Sequence, residues 1–109
     1  MPKDCKCKTC VVIYTIIYRP GDEEAVLECK DCGKLWYRII FERMNFSGAN
    51  DTFEEYQIPI TSEEYQKIVK TKYEDLRLNF LMGRKARVIH EGGVVEKSSD
   101  FALSRCGRN

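Results

Sequence analysis

Histidine is almost missing from this chain: among 109 residues there is one, His90. A catalytic imidazole needs partners, and no serine or cysteine nucleophile signature stands near it, so His90 reads as a strand residue with a satisfied ring. A phosphate loop, a dinucleotide fingerprint and a metalloprotease helix are missing too. Nothing in the composition argues for an enzyme, and we expect a non-catalytic protein. Long apolar runs are also lacking. The longest, Val11 to Tyr18, has strand length and falls well short of the roughly eighteen residues of a membrane span. The opening Met1-Pro2-Lys3-Asp4-Cys5 has no apolar export region or small-residue cleavage site, so we expect a cytoplasmic chain. Charge of one sign is scarce: 18 Lys and Arg against 17 Asp and Glu leave a net +1. That balance does not supply the basic footprint usual for nucleic-acid binders. Repeats beyond the paired cysteines, low-complexity tracts and linkers do not occur, and a chain this short is expected to form a single domain over residues 1–109.

Cysteine, by contrast, is abundant, with six residues. Four fall in two pairs, Cys7-Lys-Thr-Cys10 and Cys29-Lys-Asp-Cys32-Gly33. A repeated C-x2-C is the spacing that wraps one tetrahedral zinc, because two thiolates three residues apart on a tight turn reach one ion at about 2.3 Å each. Four thiolates close the coordination shell, so Cys7, Cys10, Cys29 and Cys32 are expected to hold a structural Zn²⁺, although four thiolates accept iron as well. Three disulfides are the rival reading of an even count, set aside for want of an export signal. A thioredoxin-like redox pair is a second rival, but such a pair comes alone after a buried strand. Cys5 could in principle replace Cys7 or Cys10, and the C-x2-C geometry decides for the latter two. Cys106 reads as a thiol outside the metal site.

Between and after the knuckles, strands are expected at 11–18, apolar on both faces, and at 25–28, 35–41 and 53–60, the last ending at Pro59. Thr61-Ser62-Glu63-Glu64 is a capping-box pattern. Tyr65, Ile68, Val69, Tyr73, Leu76, Phe80 and Leu81 follow at helical spacing, and Gly83 can cap the end, which predicts one amphipathic helix from Ser62 to Met82. Arg87 to His90 and Val94 to Lys97 flank Gly92-Gly93 as a hairpin. The expected fold is α+β: an N-terminal zinc-ribbon-like antiparallel sheet (residues 7–43) packed with one long helix and a C-terminal hairpin (residues 52–109).

Charge is segregated along the chain. Residues 42–64 carry Glu42, Asp51, Glu54, Glu55, Glu63 and Glu64 against Arg43. Residues 65–89 carry Lys67, Lys70, Lys72, Arg77, Arg84, Lys85 and Arg87 against Glu74 and Asp75. The basic stretch suits phosphate or an acidic protein, with a plain solvated face as the bland alternative.

The span from Cys7 to Phe41 resembles the zinc ribbons of transcription machinery. Within it, Cys29-x-x-Cys32-Gly33-x-x-Trp36 is similar to the second knuckle of transcript-cleavage elongation factors and of small ribbon subunits of RNA polymerases. The resemblance implies a role for an acidic hairpin tip, and Arg19, Asp22 and Glu23 match the order of that family's tip. Pro20-Gly21 stands where the family has small residues, no glycine follows the first knuckle, and residues beyond Phe41 are not covered, so the cleavage activity is not carried over. The expected function is a zinc-binding regulator that acts by macromolecular binding, to transcription machinery or nucleic acid, through Arg19, Asp22, Glu23, Lys67, Lys70, Arg84, Lys85 and Arg87. The alternative is a small immunity or inhibitor protein that neutralises a partner enzyme, for which balanced charge and exposed aromatics suffice.

Overall fold

β-Branched and aromatic runs organise the chain into strands. The computed structural model describes residues 7–19, 22–43, 52–90, 93–100 and 103. Six strands form: β1 (Cys10–Arg19), β2 (Asp22–Cys29), β3 (Leu35–Arg43), β4 (Thr52–Ile60), β5 (Lys85–His90) and β6 (Gly93–Ser98). They make one antiparallel sheet in sequential order, each strand paired with the next. The β4–β5 connection carries a helix, α1 (Ser62–Lys70), and two 3-10 turns, Tyr73–Asp75 and Asn79–Leu81. The C-terminal hairpin expected around Gly92-Gly93 is the β5–β6 pair.

The long helix is a correction. The chain is β-rich, with one short helix beside a six-stranded sheet in place of a ribbon crossed by a helix from Ser62 to Met82. The start was legible: Thr61 Oγ1 accepts from the Glu64 N–H at 3.2 Å, and Glu64 Oε1 accepts from the Thr61 N–H at 2.9 Å. The end comes at Thr71, which turns to extended backbone while its hydroxyl donates to the Lys67 carbonyl at 2.7 Å. A threonine bonding back to the preceding turn gives the chain an alternative to the helical ladder. Beyond it, Leu76 and Leu78 are both buried in the core. Two residues apart they would stand about 200° apart on a helix, so one helix could not bury both on one side, whereas an extended stretch can. Gly83, at φ +76°, serves a turn into β5 and does not cap a helix. That turn is fastened by the residue that follows β6, the neighbouring strand. Ser99 Oγ accepts from the Arg84 N–H at 3.0 Å and donates to the Leu81 carbonyl at 2.6 Å.

Register divides the sheet into two faces. One row across the strands reads Glu24, Ile39, Tyr56, Val88, and the next reads Val26, Tyr37, Ile58. This face is the core, covered by Ile68 of α1 and by Leu76, Leu78 and Leu81 of the connection, with Tyr65 and Phe80 packed alongside. Each such buried side chain contributes about 1.5–3 kcal/mol. Leu76 and Phe80 therefore join the core as expected, but Leu76 from extended backbone and Phe80 from a short 3-10 turn, not from one long α-helix. The opposite face is polar along its central row, where Ala25, Arg38, Gln57, Arg87 and Glu96 align, with Leu27 and Trp36 in the row on one side and Ile40, Ile89 and Val94 in the row on the other.

β1 occupies one edge and carries register shifts at Val12/Tyr14 and Thr15/Ile17. Its apolar residues divide. Ile13, Tyr14 and Ile16 pack on the core, while Val11 and Val12 are exposed and Tyr18 is 77% exposed. The expected cover on both faces is thus present on one. Irregular pairing of this kind blunts an edge against unwanted strand addition.

Candidate metal centre

Cysteine positions in the strands bring the two knuckles together. Cys10 opens β1, Cys29 closes β2, and the two stand opposite each other in the pairing register. The turn from β2 into β3 then returns Cys32. It is held by the Gly33 N–H on the Cys29 carbonyl at 2.8 Å and the Cys29 N–H on the Lys34 carbonyl at 2.9 Å. Gly33 sits at φ +79°, where a side chain would be strained. The first knuckle has no glycine. Its left-handed position is taken by Cys7 itself, at φ 51°, a conformation that costs a residue with a Cβ about 1–2 kcal/mol and that clusters at functional sites. The Lys30 N–H donating to the Thr9 carbonyl at 2.9 Å ties one knuckle to the other.

The sulfurs of Cys7, Cys29 and Cys32 all lie within 4.8 Å of one another, with Cys7 and Cys29 buried. Cys7 Sγ and Cys32 Sγ are 3.7 Å apart. Two sulfurs about 2.3 Å from one ion at a tetrahedral angle stand about 3.8 Å apart, so this trio has the spacing and the donor chemistry of a thiolate metal site. Cys10 lies beside the trio. Its thiol donates to the Cys7 carbonyl at 3.1 Å and receives Arg87 Nη2 at 3.6 Å. Of the four expected ligands the structure therefore gathers three, with the fourth against them. All four are thiols; none is bridged.

Charge around the cysteines fits a cation. Burial pushes the Cys7 thiol up, opposed by the Trp36 indole, with the neighbouring Cys32 and Cys29 adding to the rise. Burial also pushes Cys10 up, opposed by the Arg87 charge. Clustered thiolates repel, and a divalent ion reverses that penalty. The Trp36 N–H is buried without a well-formed hydrogen bond, and it acts on the Cys7 sulfur by lowering its pKa. A thiolate there would be a far better acceptor than a thiol.

Arg87 is the residue whose link to the cysteines the sequence reading did not draw. Its Nη2 donates to the Cys7 carbonyl at 2.8 Å, its Nε donates to Gln57 Oε1, and its guanidinium stacks 4.2 Å from the Trp36 ring centre. Lys34 Nζ also lies over that ring, at 4.6 Å. The signal was available: Ala86 and Val88 are core residues, so Arg87 between them must face the other side, toward the cysteines.

The other expected contact residues do not form one surface. Arg84 chelates both carboxylate oxygens of Glu64 and caps the carbonyls of Pro59 and Phe80, at 2.8 and 2.9 Å. Lys67 and Lys70 are exposed on α1, Lys67 with its ammonium 5.0 Å from the Phe80 ring centre. Lys85 is exposed at the start of β5. The helix covers the core face, whereas Arg87 belongs to the polar face, so these cations are divided between the two sides of the sheet. Glu23 pairs with Arg38 of the neighbouring strand. Arg19 and Asp22 stand opposite each other where β1 and β2 meet; their side chains lie outside the described residues, as do residues 20 and 21, Cys5, Cys106 and the side chain of His90. No helix among the described residues is long and apolar enough to cross a membrane.

Comparison with known proteins finds no matching family model, no matching curated protein and no matching solved structure.

Proposed function

We propose that this chain is a non-catalytic, metal-stapled binding protein: Cys7, Cys29 and Cys32, joined by Cys10, hold one structural zinc, and the folded sheet engages a protein partner in the cytoplasm. The observation that carries the metal reading is the buried trio of sulfurs within 4.8 Å, with 3.7 Å between Cys7 and Cys32. Four thiolates favour zinc among the common ions, and a sealed four-thiolate shell stabilises a fold without offering a position for substrate. Reduced thiols of this kind persist in a reducing compartment.

A protein partner is preferred to nucleic acid because the cations that would read phosphate are already engaged or dispersed. Arg84 is committed to Glu64 and two carbonyls, and Arg87 to the Cys7 loop. Exposed Val11, Val12 and Tyr18 on β1 offer instead the apolar and aromatic contacts common in protein interfaces. An inhibitor or immunity role fits this reading, as does a regulator that docks on a larger machine.

Elemental analysis of freshly purified, reduced protein is expected to give one zinc per chain; no bound metal removes the first half of the proposal. Binding to generic DNA and RNA at low salt is expected to be absent. Measurable binding that falls steeply with added salt would return the function to nucleic acid.

A further inference from the structure

Residues from all six strands, Cys10, Leu27, Arg38, Glu55, Ile89 and Val94 among them, line a single cavity of about 480 Å³. The polar face of the sheet is therefore concave, and the volume falls in the range of roughly 300–1,000 Å³ typical of small-molecule sites. We infer that this cavity binds a small organic monocarboxylate with a hydrocarbon body, its carboxylate at Arg38 and Lys8 and its chain against Leu27, Ile89 and Val94.

The lining separates into parts. Leu27 from β2, Ile89 from β5 and Val94 from β6 make an apolar wall. Gln57 and Arg87 make a fixed floor, since Gln57 donates to Glu55 and accepts from Arg87 Nε, while Arg87 Nη2 holds the Cys7 loop. Arg38 is differently placed. Among the described residues its side chain has one partner, Glu23, at Nη2, and its Nε is buried without a hydrogen bond. A guanidinium anchored at one end only can turn to meet an acceptor, and a buried donor left unmade is a standing penalty that such a partner would relieve. Lys8 adds a second, exposed cation to the lining of the same cavity.

Charge limits the ligand. Glu55 lines the same cavity, and Glu23 already takes part of Arg38. One negative charge can be matched by the donors that remain, whereas a dianion such as phosphate meets the Glu55 carboxylate, an Arg38 already shared with Glu23, and an apolar wall that offers it nothing. Cys7 and Cys10 also line the cavity, so the inference rests on the metal-stapled knuckle as one of its walls; the metal-loaded chain is the form to test, and the test itself reads ligand binding and not the ion.

Hexanoate, hexanamide and inorganic phosphate would be titrated into the isotope-labelled full chain and followed by NMR at the Leu27, Ile89 and Val94 methyl groups and the Arg38 side chain. Hexanoate is expected to shift these signals to saturation, hexanamide to bind at least about tenfold more weakly because it forfeits the charge-assisted bonds, and phosphate to leave the methyl signals unmoved. Arg38→Met should weaken hexanoate by at least about tenfold. Because that change also removes the Glu23 pair, Val94→Trp supplies the second arm. Val94 is 63% exposed on an edge strand, so the larger ring fills the cavity mouth without disturbing the core, and it should abolish the shifts. Hexanamide binding as tightly as hexanoate, no saturable shift with any probe, or shifts that survive Val94→Trp would each overturn the inference.

Discussion

Arg87 reaches across eighty residues of chain to donate from Nη2 to the carbonyl of Cys7 at 2.8 Å. That bond fixes the residue whose left-handed backbone sets the first knuckle, and the same nitrogen lies 3.6 Å from Cys10 Sγ. An arginine in this place does two things: it orients a ligand loop and it offsets the negative charge of thiolates. Arg87→Met is therefore expected to lower the proposed site's metal affinity about 10–100-fold while the far-ultraviolet spectrum is kept, because outer partners of metal ligands carry that much affinity. Competition against a chelator of known strength measures it. Unchanged affinity would reduce Arg87 to a packing residue over Trp36.

Cys10 decides whether the shell has three thiolates or four. Cys10→Ser is expected to weaken the metal as severely as Cys7→Ser, Cys29→Ser or Cys32→Ser, because Cys10 pairs with Cys29 in the strand register and its sulfur rests on the Cys7 carbonyl. In cobalt-substituted protein the thiolate charge-transfer band should weaken in each variant. A Cys10→Ser protein with full metal content and an unaltered band would leave Cys10 as a bystander.

Acid should release the metal. Burial holds the Cys7 and Cys10 thiols above their ordinary pKa, so metal-free protein keeps its protons, and each thiolate bound to the ion requires one to leave. Metal affinity is then expected to fall steeply as pH drops, with protons released on binding that calorimetry in buffers of differing ionisation enthalpy can count. Binding without proton release would mean that the cysteines are not the ligands.

Glu64 joins the helix cap to the sheet. Its hydrogen bonds and charge pairing with Arg84 hold the carboxyl below its usual range, helped by the Thr61 backbone. A carboxylate depressed in the folded state adds stability above the unfolded pKa of about 4.3 and loses it as pH falls through the folded value. Glu64→Gln keeps the capping pattern, which accepts Gln as well as Glu, and removes the charge. The variant should be about 1–2 kcal/mol less stable near neutral pH, and the gap should close in acid. Denaturant melts from pH 7 to pH 3 test this, and a gap that does not narrow would assign the effect to packing.

What the residues disclosed in advance follows from how local each signal is. The C-x2-C pairs, the capping box at Thr61 and the β5–β6 hairpin are written in adjacent residues, and each was legible. The sheet's continuity was not, because whether 53–60 extends the ribbon depends on β3 pairing with β4 along Leu35 to Arg43, a contact between segments. The role of Arg87 was legible only in part: strand alternation turns it away from the core, but its bond to the Cys7 carbonyl joins segments eighty residues apart. The overlong helix arose from apolar spacing that two periods can share. Tyr73, Leu76 and Phe80 satisfy a helical stripe, but Leu78 does not, and Leu78 carries the information.

Leu78 therefore supplies the sharpest test of the connection between β4 and β5. It has no exposed surface and sits in the core with Leu76 and Leu81. Had the helix continued through it, Leu78 would have pointed away from the face that Leu76 buries, and truncation there would have cost little. In the observed non-helical connection, Leu78→Ala removes a fully buried side chain from beneath the sheet and should destabilise by about 2–5 kcal/mol, the range for such cavities. Arg77→Ala, an exposed neighbour whose guanidinium donates to the Glu74 carbonyl, should stay within about 0.5 kcal/mol. Urea melts of both variants decide the matter, for a Leu78→Ala protein as stable as the parent would return residues 71–82 to a helix with Leu78 on its outer side.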